Sequence, residues 1–70
     1  MVGERWRTTS ASEVRPGDRV RIGDRQILVS RIESPFLGRT ELVGFIEDTP
    51  ERWLKQPVPV ELEVDVLEQG

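Results

Sequence analysis

The chain has no cysteine, no histidine and no tyrosine, and each absence removes a class of chemistry. Without cysteine, neither a disulfide framework nor a thiolate metal site can staple the fold. Without histidine, the commonest general base is missing, and a Ser–His or Cys–His pair cannot be assembled within the chain. Carboxylate-only catalysis remains, but it needs a pocket that holds two acids at a fixed separation. Seventy residues leave no room for a cleft between two substantial lobes. The expectation is therefore a protein that is not an enzyme, with no catalytic residues, no metal site and no small-molecule cofactor. Long hydrophobic runs are also missing. No stretch approaches the roughly 20 apolar residues of a membrane span, and the N-terminus lacks the apolar core of a signal peptide. These features predict a soluble, cytoplasmic protein with no membrane partner.

What is present fits one small domain. A chain of this length buries only about 60% of the surface its unfolded state exposes, so its core has a single layer and packing must supply its stability. Self-association would help such a core. A third of the residues are charged and the net charge is −3, unevenly spread. Residues 1–32 hold seven arginines against four acids, whereas residues 33–70 hold three bases against nine acids. This polarity marks either a basic face or two halves that neutralise each other across neighbouring strands.

Along the chain, Met1–Gly3 reads as a disordered end and residues 4–68 as a single β-domain. Glu4–Thr9 alternates weakly around Trp6, as a first strand at a sheet edge would. Ser10–Arg15 is a turn of helix or irregular connector anchored by Val14. Pro16-Gly17-Asp18 is a turn, because proline presets φ and glycine accepts positive φ. Arg19–Ile22 alternates with a period of two, Gly23-Asp24 turns the chain, and Gln26–Glu33 continues as a β-branched strand, giving a hairpin. Ser34–Arg39 is a second turn, unusual in carrying Phe36 and Leu37. Glu41–Asp48 is strand-like, with Val43 and Phe45 on one face and Leu42 and Ile46 on the other. Gly44 in its middle marks a bulge, a bend or a close backbone approach. Thr49-Pro50-Glu51 carries the signature of a helix start, which predicts one helical turn near 50–54, closed off by Pro57 and Pro59. Val60–Val66 alternates again, with Val60, Leu62, Val64 and Val66 inward and Glu61, Glu63 and Asp65 outward. Five short strands and one single-turn helix predict an all-β, partly open five-stranded barrel.

The string Glu13-Val14-Arg15-Pro16-Gly17-Asp18-Arg19-Val20 resembles the opening of Src-homology-3-like small barrels. These include the KOW-type modules of ribosomal and transcription-elongation proteins and the first domain of translation elongation factor P. The resemblance covers about a dozen residues together with the later strand spacing. It implies a barrel whose end loops bind RNA, DNA or protein. The lysine that elongation-factor-P-like proteins present at a loop tip has no counterpart, since the corresponding hairpin turn is Gly23-Asp24 and the only lysine is Lys55.

Two surfaces compete for the function. Phe36 and Leu37 lie in a turn where core residues are unexpected. With Trp53 they would form an apolar anchor rimmed by Arg39 and Arg52, the composition of a protein-binding hot spot. The simpler account has the turn folding back to cap the open end of the barrel. The alternative surface is the arginine-rich hairpin, where Arg15, Arg19, Arg21, Arg25 and Arg31 would track phosphates. The acids of the last strand read as a solvated face with arginines opposite. The resulting expectation is a small binding module or adaptor for a protein partner or for a second copy of itself, as a homodimer. Nucleic-acid binding through the arginine hairpin is the other reading.

Overall fold

Glycine and proline set the strand boundaries. In Arg15-Pro16-Gly17-Asp18 the Asp18 N–H donates to the Arg15 carbonyl (3.1 Å) and Gly17 stands at φ 97°. Proline in the second place and a positive-φ glycine in the third is the type II arrangement. The Asp18 carboxylate also accepts the Arg15 N–H at 2.9 Å. This turn launches β2 (Arg19–Ile22), which pairs with β3 (Arg25–Leu28) across the expected Gly23-Asp24 turn. These and the following features come from a computed structural model that describes residues 3–68.

The strand expected over Gln26–Glu33 is not continuous. It splits into β3 and β4 (Arg31–Glu33), which belong to different sheets. Val29 still bonds backwards, its N–H donating to Asp18 (2.8 Å) and its carbonyl accepting from Gly17 (2.7 Å). One residue later, the Ser30 N–H donates to the Ile46 carbonyl at 2.7 Å. The hydrogen-bond partner thus changes sheet within a single step of the chain.

The remaining strands are β1 (Trp6–Ser10), β5 (Leu42–Asp48), β6 (Trp53–Pro59) and β7 (Glu63–Leu67), with a 3-10 turn at Ala11–Glu13. They form a four-stranded antiparallel sheet in the order β1-β7-β2-β3 and a three-stranded one in the order β4-β5-β6. The fold is all-β, but with seven strands in two sheets where five strands were expected.

The single-turn helix expected near 50–54 is absent. Thr49 and Arg52 exchange both backbone hydrogen bonds, at 3.0 and 3.2 Å, and the chain reverses directly into β6. The sequence signal was ambiguous for a physical reason. Proline fixes a φ near −65°, which suits the first turn of a helix and the second residue of a tight β-turn equally well. Pro57 and Pro59 likewise do not end a helix. They lie within β6, which is an edge strand, where a missing N–H is tolerated.

The core lies between the sheets. Val20, Ile27, Val64 and Val66 from one sheet meet Val43, Phe45 and Val58 from the other, with Ala11, Val14 and Val29 completing the cluster. Val64 and Val66 point inward as the alternation of the last strand predicts. Leu62 does not: it is 41% exposed, because the chain is still in the Pro59–Leu62 turn and β7 begins only at Glu63. The loose end expected over Met1–Gly3 falls outside the described residues at Met1 and Val2. Among the described residues no helix is long and apolar enough to cross a membrane.

Candidate functional site

The Ser34–Arg39 segment forms a tight hairpin in which Phe36 and Arg39 exchange backbone hydrogen bonds across Leu37-Gly38. Both central residues have positive φ, 52° at Leu37 and 75° at Gly38. This is the primed turn geometry that favours asparagine, aspartate or glycine in both places. A leucine there sets its Cβ against the following carbonyl, at a cost of roughly 1–2 kcal/mol. The Leu37 side chain is also 75% exposed, the most exposed large apolar residue described.

Phe36 behaves in the opposite way. It is only 6% exposed, which removes it as a surface anchor and shows the turn folding back onto the protein. Its ring covers Gly44 on the outer face of the second sheet. A Cβ at Gly44 would overlap the ring, lying 2.6 Å from Cε1 and nearer still to Cδ1. Gly44 therefore marks a close approach, one of the three meanings its mid-strand position allowed. Lys55, opposite Ile46 in the register, passes beside the ring (5.5 Å from Nζ to centroid) and reaches Glu33 on β4 at 3.2 Å. Arg39, at the base of the hairpin, is bonded to Glu41, and this guanidinium holds the Glu41 carboxyl below its ordinary pKa.

The other half of the expected anchor lies elsewhere. Trp53 is 60% exposed and faces outward opposite Asp48 at the start of β6. Gly44, under Phe36, pairs with Pro57, which is four residues further along the same strand. At about 3.3 Å per residue that separates the two positions by about 13 Å along β6. Leu37 and Trp53 thus share one side of the protein as two separate apolar points.

Arg52 lies over the buried Glu47, its own side chain still exposed, instead of rimming either point. Its Nη2 donates to Glu47 Oε1 and to the Gln26 carbonyl, both at 2.7 Å. Glu47 is the one buried charged residue described, 7% exposed, and it also accepts the Leu28 N–H at 3.0 Å. Its carboxyl is held below the usual glutamate pKa, first by Arg52 and against the opposing effect of burial, with Leu28 and Thr49 assisting. From the sequence, no role was singled out for Glu47. Its place in the alternation Val43, Phe45, Glu47 was the signal that it points into the core.

The five arginines of the alternative surface do not form one stripe. Arg19 and Arg21 share the outer face of β2, but β7 lies alongside, and Arg21 bonds Asp65 at 3.1 Å while stacking 4.3 Å over the Trp6 ring. Thr8 donates to the same carboxylate at 2.9 Å, and the two contacts, Thr8 first, lower the Asp65 pKa. Arg25 reaches Gln56 at 3.2 Å, and Arg31 pairs with Asp48 at 3.0 Å on the second sheet. Arg15 is exposed beside its turn. The acids of the last strand therefore do stand opposite an arginine, at Asp65. Among the described residues no group of three or more carboxylates converges as a metal site would require. A shallow cleft of about 520 Å³ between the Pro16–Asp18 turn and the end of β7 carries Arg7, Asp18 and Glu68, charges of both signs. Comparison with protein-family models, curated proteins and solved structures finds no match to this chain.

Proposed function

We propose that this chain is a non-catalytic β-module that docks a protein partner through the Leu37 tip, with Trp53 as a second apolar contact on the same side. The observation that carries this reading is the combination at Leu37 of φ 52° and 75% exposure. Backbone strain and solvent-exposed apolar area both work against the isolated domain, and neither is relieved by anything Leu37 touches within it. A partner that buried the side chain would recover roughly 1.5–3 kcal/mol of hydrophobic free energy. Trp53 is of the residue type that dominates interface energetics. The five-stranded Src-homology-3-like barrel belongs to the same proposal. If β3 and β4 are counted as one bent run, β2, β3–β4, β5 and β6 pair in chain order, and β7, unpaired with β6, returns to pair with β2. That order supports the resemblance, with β1 added outside it. The nucleic-acid reading is weaker because Arg21 and Arg31 already face carboxylates and the arginines divide between two sheets.

The test is Leu37→Gly, which keeps the positive φ and removes both the strain and the prong. The isolated domain should gain about 1 kcal/mol, raising its Tm by roughly 4–8 °C. Immobilised on beads in a lysate of the source organism, the native chain should retain a protein that Leu37→Gly and Trp53→Ala both lose. Identical retained sets for all three would refute the reading. Salt-sensitive binding of short oligonucleotides at Arg15 and Arg19 would move the function to the arginine hairpin.

A further inference from the structure

Four strands lie at sheet edges, and three of them are blocked, each in its own way. In β6 the Thr49–Arg52 exchange and the Val60 N–H bond to Glu41 (3.0 Å) fix which residues face β5: the even-numbered ones. Pro57 and Pro59 therefore stand at outward positions, deleting two donors from the free edge without disturbing the ladder. In β3 the outward groups of Leu28 and Gln26 are taken up by side chains, the N–H by Glu47 and the carbonyl by Arg52. This ion pair occupies the place where a neighbouring strand would sit. β4 is only three residues long.

β1 has none of these protections. It spans five residues, Trp6-Arg7-Thr8-Thr9-Ser10, with no proline, and it borders the larger sheet. The Glu68 N–H donates to the Arg5 carbonyl and the Ala11 N–H to the Leu62 carbonyl, each at 2.8 Å, so odd-numbered residues bond towards β7. Trp6, Thr8 and Ser10 consequently direct three N–H and three carbonyl groups away from the sheet. Apart from the Ser10 carbonyl, which caps the Ala11–Glu13 3-10 turn and accepts its first hydrogen bond, no other described residue bonds them.

We propose that β1 pairs with β1 of a second copy of this chain, antiparallel about a two-fold axis at Thr8, joining the two four-stranded sheets into one. The occupant follows from self-complementarity. A two-fold axis perpendicular to the sheet sets like faces together, so opposite residues have numbers of the same parity. With Thr8 opposite Thr8 of the second copy, Trp6 meets Ser10 and Arg7 meets Thr9. All six outward backbone groups then find partners, the Ser10 carbonyl through its second lone pair. Centring on Arg7 sets two arginines face to face, which is destabilising, and centring on Thr9 leaves the groups of Trp6 unpaired. The pairing uses β1 and not the Leu37 tip, so it stands or falls independently of the partner-docking reading.

The absence of cysteine makes the test direct. Residues opposite each other in a hydrogen-bonded antiparallel pair have Cα atoms about 5.5 Å apart, inside the span of a disulfide. Under mild oxidation Thr8→Cys should form a covalent dimer at least about tenfold faster than Ser12→Cys, whose position lies beyond the strand. Sedimentation of the native chain should show the mass rising towards that of a dimer as concentration approaches about 1 mM. Thr8→Pro removes an outward N–H and the exposed Thr8–Asp65 side-chain bond but no bond of the β1–β7 backbone ladder, and should weaken that association at least about tenfold while leaving the far-ultraviolet circular dichroism unchanged. A native chain that stays monomeric throughout, or equal cross-linking at positions 8 and 12, would overturn the proposal. So would a monomeric native chain that captures an extended peptide along β1.

Discussion

Two of the hairpins that turn on two residues are built on opposite terms. At Gly23-Asp24 the first turn residue has φ 61° and is glycine; at Leu37-Gly38 it has φ 52° and is leucine. The first turn joins β2 and β3 in a register of four consecutive pairs, with nothing within 4 Å of where a Gly23 side chain would start. The second joins a single bridge, Phe36 to Arg39, and is held down by Phe36 lying on Gly44. A hairpin with favourable turn residues specifies itself locally. One with an unfavourable residue at its tip must be imposed by tertiary contacts, and such imposed strain is a reason to look for a role.

The largest expected effect tests whether the first hairpin is as self-sufficient as its turn suggests, because its β3 flank leans on Glu47. In Glu47→Ala the Leu28 N–H loses its acceptor, the Gln26–Arg52 contact loses its neighbour, and a buried volume is left. A loss of about 2–3 kcal/mol is expected from an unsatisfied buried group, a large part of what a small domain possesses. Urea denaturation should show it, and the Leu28 amide should exchange faster. Acid should reproduce part of the effect. The Glu47 pKa is lowered in the folded state, so the unfolded chain binds the proton more readily. This stabilisation is present above the ordinary glutamate value, about 4.3, and is lost as the pH falls through the lower folded value. Glu47→Gln should therefore show a shallower fall in stability below about pH 4.5 than the native chain. Equal slopes would mean that the charge contributes nothing there.

The second hairpin breaks at its anchor. Gly44→Ala drives a methyl group into the Phe36 ring, and the ring must leave or β5 must bend. Overpacking of this kind costs typically 1–3 kcal/mol. The discriminating readout is spatial: amide shifts should spread through residues 34–42 and around Lys55 and leave the Gly23-Asp24 hairpin unmoved. Shifts that run through both sheets would mean that the two hairpins are not separable units.

The same contrast decides what the sequence made legible. Strand β2, the Gly23-Asp24 turn, the Pro16–Asp18 turn and β5 were all readable, because their residues favour the local conformation they adopt. The Thr49–Arg52 region was misread because its proline signal fits two structures that diverge only at the next residue. With it went β6, whose prolines argue against a strand unless the strand is already known to be an edge. The sheet change at Ser30 left no trace in composition. Of the proposed contacts, Leu37 and Trp53 are exposed, while Phe36 and Arg52 are committed to Gly44 and Glu47. Which apolar residue of a turn folds inward is decided by the cavity over Gly44, and that cavity exists only once β5 is paired.

The smallest and cleanest test exchanges the two turns' chemistry. Gly23→Leu installs at φ 61° the residue type that the other hairpin carries at φ 52°, in a place with no side-chain collision to confuse the result. Only the backbone penalty of a left-handed leucine remains, so a loss of roughly 1–2 kcal/mol is expected. Leu37→Gly should move stability in the opposite direction by a comparable amount. The double variant should be near neutral, because the two turns lie in different hairpins and distant sites usually add. Thermal denaturation of the four proteins gives the cycle. If Gly23→Leu costs nothing, a leucine at positive φ is not strained in this fold. Leu37 would then need no partner to explain it, and the docking proposal would rest on side-chain exposure alone.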